Sequence, residues 1–321
     1  MLPKFVLPSK ILSAEQVSRH CLMKLGVVCH KVESDISRWV DEDQGSGDVS
    51  LWNLVPPGVQ DDHAAHCFVV AKEDFYLSGV WLMAAVFHWV LDGNAEVRTD
   101  FSDGDGVKAG DVIMSVKGAG AGLLAAERVA LNLASRLSGI TTYTRKVFRT
   151  LESLKGESPE VKTAVLLETR KTTPGLRMYE KYATRVGGAR NHRHGLDSGV
   201  MFKENHLRLG GEMKSMIGRA TRQTPVLTKV EVEVTNLEEF LLAAESGADL
   251  IMLDNFDSLD VKKAVALRDQ RFKGLLLEVS GNLDQKNLAE LAISGVDFAS
   301  MGALIHKASW VDMSLQMGSP L

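Results

Sequence analysis

The apolar positions change period along the chain. Between residues 64 and 120 they form short runs, His66–Lys72, Ala95–Phe101 and Asp111–Val116, broken by Gly79 and the turn Asp103-Gly104-Asp105-Gly106. Such runs predict strands, and Val80–Val90, apolar on every side, predicts a buried helix. Ile36–Asp43 predicts a short helix ahead of the Gly-rich turn Gln44–Asp48. Strands and helices do not alternate regularly here, so the first third is predicted as an α+β sandwich. Farther on, Leu124, Val129, Leu131 and Leu137 line one side of a predicted helix over Gly122–Ser138, with Gly139 expected to close it. Leu151–Lys162 reads as a surface loop or a frayed helix end.

From there on, short apolar runs alternate with helical stretches. The runs are Val165–Leu167, Val200–Phe202, Lys229–Val234, Leu250–Leu253, Leu275–Val279 and Phe298–Ser300. Helices are predicted over Leu176–Val186, Leu237–Ser246 and Leu288–Ser294, each closed by the glycine after it, and Thr235 with Glu238 has a capping-box spacing. This alternation predicts a parallel β/α barrel. Reactive residues recur just after successive strands: Arg170 and Lys171, Lys203, Asp254, Ser280 and Gly281, then Gly302. Ligand sites of such barrels lie at that end of the strands. Within Lys229–Val234, Glu231 and Glu233 share one side of the strand.

Composition narrows the function. A chain of 321 residues, 45% hydrophobic, has room for two domains. A net charge of −4 argues against a nucleic-acid binder. The longest apolar run, Val80–Val90, is too short to cross a bilayer. Three cysteines without a CxxC pair point to a reducing compartment, and the cytoplasm is expected. Pro3, Pro8 and the sparse arginines of Met1–Arg38 count against a targeting segment. Against the acidic whole, Val165–Leu207 carries eight Lys/Arg and four Asp/Glu, a local net charge of +4 that predicts an anionic ligand.

Residue types suggest which anions. Arg128, Arg170 and Arg193 are planar forks suited to carboxylates, while Lys171 and Lys203 suit phosphate oxygens. Ser280, Gly281 and Gly302 stand where backbone N–H groups can cradle a phosphate. Glu233 and Asp254 are hard oxygen ligands at neighbouring strand ends, apt for Mg²⁺.

Several motifs carry a resemblance across most of Glu127–His306. ERVALNLASRLSGITT (127–142), TRKTTPGLR (169–177), the GGxxNHR loop (187–193) and FKENH (202–206) precede EVEV, LDN, VSG and GALIH. Together they resemble the quinolinate phosphoribosyltransferase family, and EDQGSGDVS (42–50) resembles a segment near that family's start. The resemblance implies an incomplete, seven-stranded barrel of the type II phosphoribosyltransferase kind over 129–304. It also implies an N-terminal sandwich over 1–128, to which the tail 305–321 returns.

The activity implied is transfer of phosphoribosyl from phosphoribosyl pyrophosphate to quinolinate with decarboxylation. Quinolinate is expected at Arg128, Arg170, His192, Arg193 and Lys203. The sugar pyrophosphate is expected at Lys171, Lys203, Ser280, Gly281, Gly302 and His306, with Glu233 and Asp254 as Mg²⁺ ligands. Lys171, Lys203, Glu233 and Asp254 are the residues expected to serve catalysis. A homodimer is implied, Arg128 reaching the neighbouring subunit's site, and a hexamer of such dimers is left open.

Two departures stand out: Ala189 and Asn282 replace glycines usual in the family. A left-handed backbone at 189 would cost about 1 kcal/mol with alanine. Rival readings are a relative associated with molybdate transport that uses another aromatic acceptor, a Schiff-base aldolase using Lys171 or Lys203, and a non-catalytic paralogue.

Overall fold

Burial on both faces of a strand shows first in Ala64–Ala71 (β1), whose last five residues are all buried. In the computed structural model, which describes residues 8–20, 29–51, 64–157, 163–281, 283 and 285–318, the chain divides into two compact units. The first is Met1–Tyr143 with Ser309–Leu321, and the second is Thr144–Ala308. The division does not fall at the expected 128/129. It lies inside one continuous helix, Gly120–Glu157, because that helix stays tied to the first unit past residue 128. Ser138 Oγ accepts the Ser78 N–H at 2.9 Å, and Thr142 Oγ1 accepts that of Tyr76 at 2.9 Å. The tail likewise joins the first unit from Ser309 rather than 305.

In the first unit, β1 leads to Phe75–Tyr76 (β2), Glu96–Arg98 (β3), Gly106–Val107 (β4) and Val112–Ala119 (β5). An antiparallel sheet of order β12-β1-β5-β3 forms, β12 being Met313–Met317 from the tail. β2 pairs with β4 separately. Helix Val80–Val90 is buried over Val80–His88, as a stretch apolar all round must be. Helices Ala14–His20 and Cys29–Gln44 pack against it, the latter longer than the expected Ile36–Asp43.

Gly139 does not end a helix. It sits inside Gly120–Glu157, where a Cβ would lie 1.9 Å from the Ser309 carbonyl oxygen. Glycine here permits close backbone approach and is not a stop signal. Gly139→Ala is therefore expected to lower unfolding free energy by about 1–3 kcal/mol through overpacking, measurable in denaturant. An unchanged midpoint would show that the tail can move aside freely.

The second unit holds Val165–Leu167 (β6), Val200–Phe202 (β7), Val230–Val234 (β8), Leu250–Asp254 (β9), Leu276–Ser280 (β10) and Phe298–Ser300 (β11). All pair in parallel in the order β6-β11-β10-β9-β8-β7. Of the seven strands expected, the described residues form six. A single bridge, Leu167 to Arg190, stands in the remaining place beside β6. The barrel is thus left incomplete between Arg190 and β7.

Helix ends shift slightly from expectation. Helix Leu237–Glu245 is capped not by Thr235 but by Asn236, whose extended backbone lets its side chain accept the Glu239 N–H at 2.9 Å. Helix Arg177–Val186 ends in Gly187 with ordinary helical angles, and the left-handed residue is Gly188, φ 111°. Ala189 is buried and is not among the residues with positive φ, so the expected strain at that position does not arise. Asn282 lies outside the described residues.

Candidate active site

Because every strand of the second unit runs the same way, the residues just after each strand gather at one end of the sheet. A cavity of about 820 Å³ opens there. Arg170 and Lys171 reach it from the end of β6, and His192 and Arg193 from the loop after the Arg190 bridge. Lys203 comes directly after β7, while Glu233 and Asp254 lie on β8 and β9. Ser280, Gly281, Gly302 and His306 complete the set from β10 and β11 onward. Arg128 belongs to the first unit, is exposed, and pairs with Glu127 at 2.6 Å.

The cations are arranged in two groups. Arg193 loses proton affinity to its own burial and to the charge of Arg170, so the two guanidiniums repel each other across a part-buried wall. Guanidinium forks of this kind can take up carboxylates in bidentate fashion. Arg193 is held by its Nη1, which donates to the Gly199 carbonyl at 3.0 Å. The second group is Lys171 with His306 and Lys307. Burial first, then the charges of both lysines, lower the His306 pKa. A Cβ on Gly302 would meet Lys171 Cδ at 2.8 Å and Thr169 Oγ1 at 3.1 Å, so glycine is what lets Lys171 lie across that loop.

Glu233 and Asp254 are the carboxylates of the cavity that would hold a divalent ion. Glu233 holds the Lys203 ammonium, so it already sits where a positive charge is welcome. Asp254 Oδ2 accepts from Asn255 Nδ2 at 2.9 Å, which orients the carboxylate. Two carboxylates suit Mg²⁺, which usually takes few protein ligands and completes its shell with water and phosphate oxygens.

Asn255 is one of two non-glycine residues with positive φ among the described residues, at 56°. Its side chain lies beneath Gly281, where a Cβ would meet Asn255 Oδ1 at 2.4 Å and φ is 89°. Gly281→Ala is expected to cost about 1–2 kcal/mol of backbone strain and to displace Asn255 from Asp254. Its signature would be a weakened thermal shift on adding inorganic pyrophosphate with Mg²⁺. An undiminished shift would separate Gly281 from anion binding.

Part of this apparatus gave no sequence signal. Of the eight cations in Val165–Leu207, Lys181 does not reach the cavity: it is fully buried and paired with Glu168, burial pulling its pKa down to about 8. Lys181 Nζ also donates to the His192 carbonyl at 3.1 Å. Glu168 accepts the His192 N–H at 3.2 Å and Asn191 Nδ2 at 2.9 Å. Glu180, also buried, accepts the Thr173 N–H and hydroxyl at 2.8 Å each, pinning the turn after Lys171. His206 Nδ1 accepts the Lys203 N–H at 3.0 Å and so sets where that lysine leaves the chain. Their spacing in the sequence, polar residues among other polar residues, distinguishes none of them from surface charge.

With the site in view, comparison with known proteins is decisive. The N-terminal domain of quinolinate phosphoribosyl transferase matches residues 51–138, and its C-terminal domain matches residues 140–316. The chain belongs to the quinolinate phosphoribosyltransferase family. Among its relatives in that family is a probable carboxylating nicotinate-nucleotide pyrophosphorylase of Synechocystis sp., 38% identical over 282 residues, spanning 88% of this chain and 91% of the relative. A Bacillus subtilis protein of the same description is 35% identical over 276 residues, covering 86% of this chain and 90% of its own. The solved nicotinate-nucleotide pyrophosphorylase of Francisella tularensis superposes with a TM-score of 0.80 at 34% identity, over 92% of this chain and 99% of that one. As a quinolinate phosphoribosyltransferase family member, this chain carries both of the family's domains in order.

Proposed function

We infer that this chain transfers phosphoribosyl from phosphoribosyl pyrophosphate to quinolinate, releasing pyrophosphate and CO₂ and forming nicotinate mononucleotide. The observation that carries the reading is the gathering of Arg170 and Arg193 in the same cavity as Lys171, His306 and Lys307. One group fits a dicarboxylate and the other a phosphorylated sugar. Lys203 stands at Glu233 and serves either anion as a point charge.

In the reaction, the arginines orient the pyridine ring so that its nitrogen faces ribose C1. Lys171 and Lys203 stabilise the charge gathering on pyrophosphate as the C1–O bond breaks and the N–C1 bond forms. Mg²⁺, held by Glu233 and Asp254, would supply further neutralisation of the leaving group when bound. The pyridinium thus created draws in the electron pair released when the 2-carboxylate leaves as CO₂, and C2 then takes up a proton. No covalent intermediate with the protein is needed.

The direct test supplies purified protein with quinolinate, phosphoribosyl pyrophosphate and Mg²⁺ and monitors CO₂ and nicotinate mononucleotide together, nicotinate serving as control acceptor. Equal yields from quinolinate alone support the reading. Turnover of nicotinate in its place would redirect it to another acceptor. We place the enzyme in the cytoplasm, in keeping with its three cysteines without a CxxC pair; among the described residues, no helix is long and apolar enough to cross a membrane.

The exposed Arg128, outside the lining of the cavity, fits a site completed by Arg128 of the partner subunit. Mixed Arg128→Ala and Arg170→Ala chains are then expected to recover up to about a quarter of wild-type activity, since one hybrid site keeps both arginines. No recovery after demonstrated subunit exchange would rule the shared site out.

A further inference from the structure

Arg170 and Arg193 stand on separate loops, one after β6 and the other after the Arg190 bridge. Helix Arg177–Val186 joins these loops in sequence and bonds to both of them. Its positions 177, 181 and 184 recur at intervals of four and three, which places them along one face. All three meet the second loop. Lys181 Nζ donates to the His192 carbonyl at 3.1 Å, and Thr184 Oγ1 accepts from Asn191 Nδ2 at 3.5 Å. Arg177 Nη1 donates to the His194 carbonyl at 3.3 Å. Residues on both sides of Arg193 are therefore held by that face.

Arg177 also reaches the first loop. Its Nε donates to Thr172 Oγ1 at 3.1 Å, and the Thr172 hydroxyl donates in turn to the Arg170 carbonyl at 3.5 Å. The Thr172 N–H meets the same carbonyl at 2.9 Å. One half-buried guanidinium thus runs from the backbone of Arg170 to the residue after Arg193. A planar fork suits such a task, because its donors keep a fixed separation that an ammonium lacks. Arg177 does not line the cavity, so it is not placed to hold the acceptor itself.

We propose that Arg177 is a positioning residue that sets acceptor selectivity: by tying the two loops together it fixes the spacing of Arg170 and Arg193, favouring a ring with two carboxylates over a ring with one. The identity of the acceptor rests on the proposed function. A rigid ring sets the distance between its carboxylates, so both forks engage only when their own separation matches. A single carboxylate needs one fork and tolerates a loose pair. Loosening the strap therefore costs the dicarboxylate more than the monocarboxylate, and selectivity falls.

Calorimetric titration and steady-state kinetics on the full chain test this, with quinolinate and nicotinate as the probes. Arg177→Met is expected to weaken quinolinate binding and raise its KM about tenfold, as loss of one charge-assisted bond does. Nicotinate binding should weaken less, narrowing the ratio between the two acids. kcat with both substrates saturating should change little, as should KM for the sugar pyrophosphate, because Lys171 is braced by its contact at Gly302. A merely structural role would instead lower kcat through loss of folded enzyme. Thr172→Val removes the hydroxyl and leaves Arg177 in place, and it should reproduce much of the effect. The double variant should be no worse than Arg177→Met alone, since both changes cut one strap. A harmless Thr172→Val, additive losses in the double variant, or equal weakening toward both acids would overturn the proposal. Wild-type protein that binds no quinolinate would bring down the proposed function and the acceptor selectivity with it. Wild type that binds quinolinate, with Arg177→Met binding it equally well, would overturn the strap alone.

Discussion

Arg170→Ala is expected to lower kcat/KM for quinolinate by about 10²–10³-fold, the usual range when one partner of a desolvated charge pair is truncated. The size of the effect comes from what remains. Arg193 alone would face two carboxylates, and one carboxylate would enter a part-buried wall unpaired. Arg170→Lys should recover only part of the loss, because an ammonium restores charge without the planar fork. KM for phosphoribosyl pyrophosphate should move far less, since Lys171 and His306 are untouched. Steady-state kinetics with both substrates varied would check this. Equal loss toward both substrates, or no loss, would remove Arg170 from the acceptor site.

Glu168→Ala is expected to destabilise the fold by about 3–5 kcal/mol, the usual consequence of leaving one member of a buried ion pair alone. Lys181, fully buried and with its proton affinity already lowered by burial, would be left without a counter-charge and would have to give up its proton or stay charged at a cost. The Asn191 side chain and the His192 N–H would also lose their acceptor. Replacing both partners, Glu168→Leu with Lys181→Met, should cost less than Glu168→Ala alone, because no charge is then stranded. Denaturant unfolding of the three variants gives the comparison. If the double variant proves the least stable, the pair contributes net stability and is more than a buried charge kept neutral.

These two residues mark where sequence reasoning stops. Glu168 and Lys181 lie in a stretch whose excess of cations points to an anion site, and by charge alone Lys181 counts toward it. Only Arg170, Lys171, Arg193 and Lys203 of that stretch's eight cations line the cavity. Lys181 sits on helix Arg177–Val186, where a turn of about 100° per residue decides whether a side chain meets solvent or the barrel. Glycines divide similarly. Gly247 closes its helix with φ 89°, as its place in the pattern suggests, whereas Gly139 continues a helix and answers to a carbonyl contributed from residue 309. A contact across 170 residues of chain leaves no trace in local pattern.

What the sequence by itself determined is considerable. Short apolar runs alternating with helical stretches placed the six barrel strands of the described residues to within a residue or so, because burying a strand or a helix face depends on local spacing. Since parallel strands present the same end, the residues after each strand had to converge, and eleven of the twelve named site residues line one cavity. The tertiary structure decided the rest: which charges are turned inward, where the first unit ends, and how Glu168, Glu180 and His206 hold the loops and side chains that face the cavity. Those assignments depend on distances between strands far apart in the chain, and in a low-dielectric interior such distances determine whether a polar residue is a cost or a support.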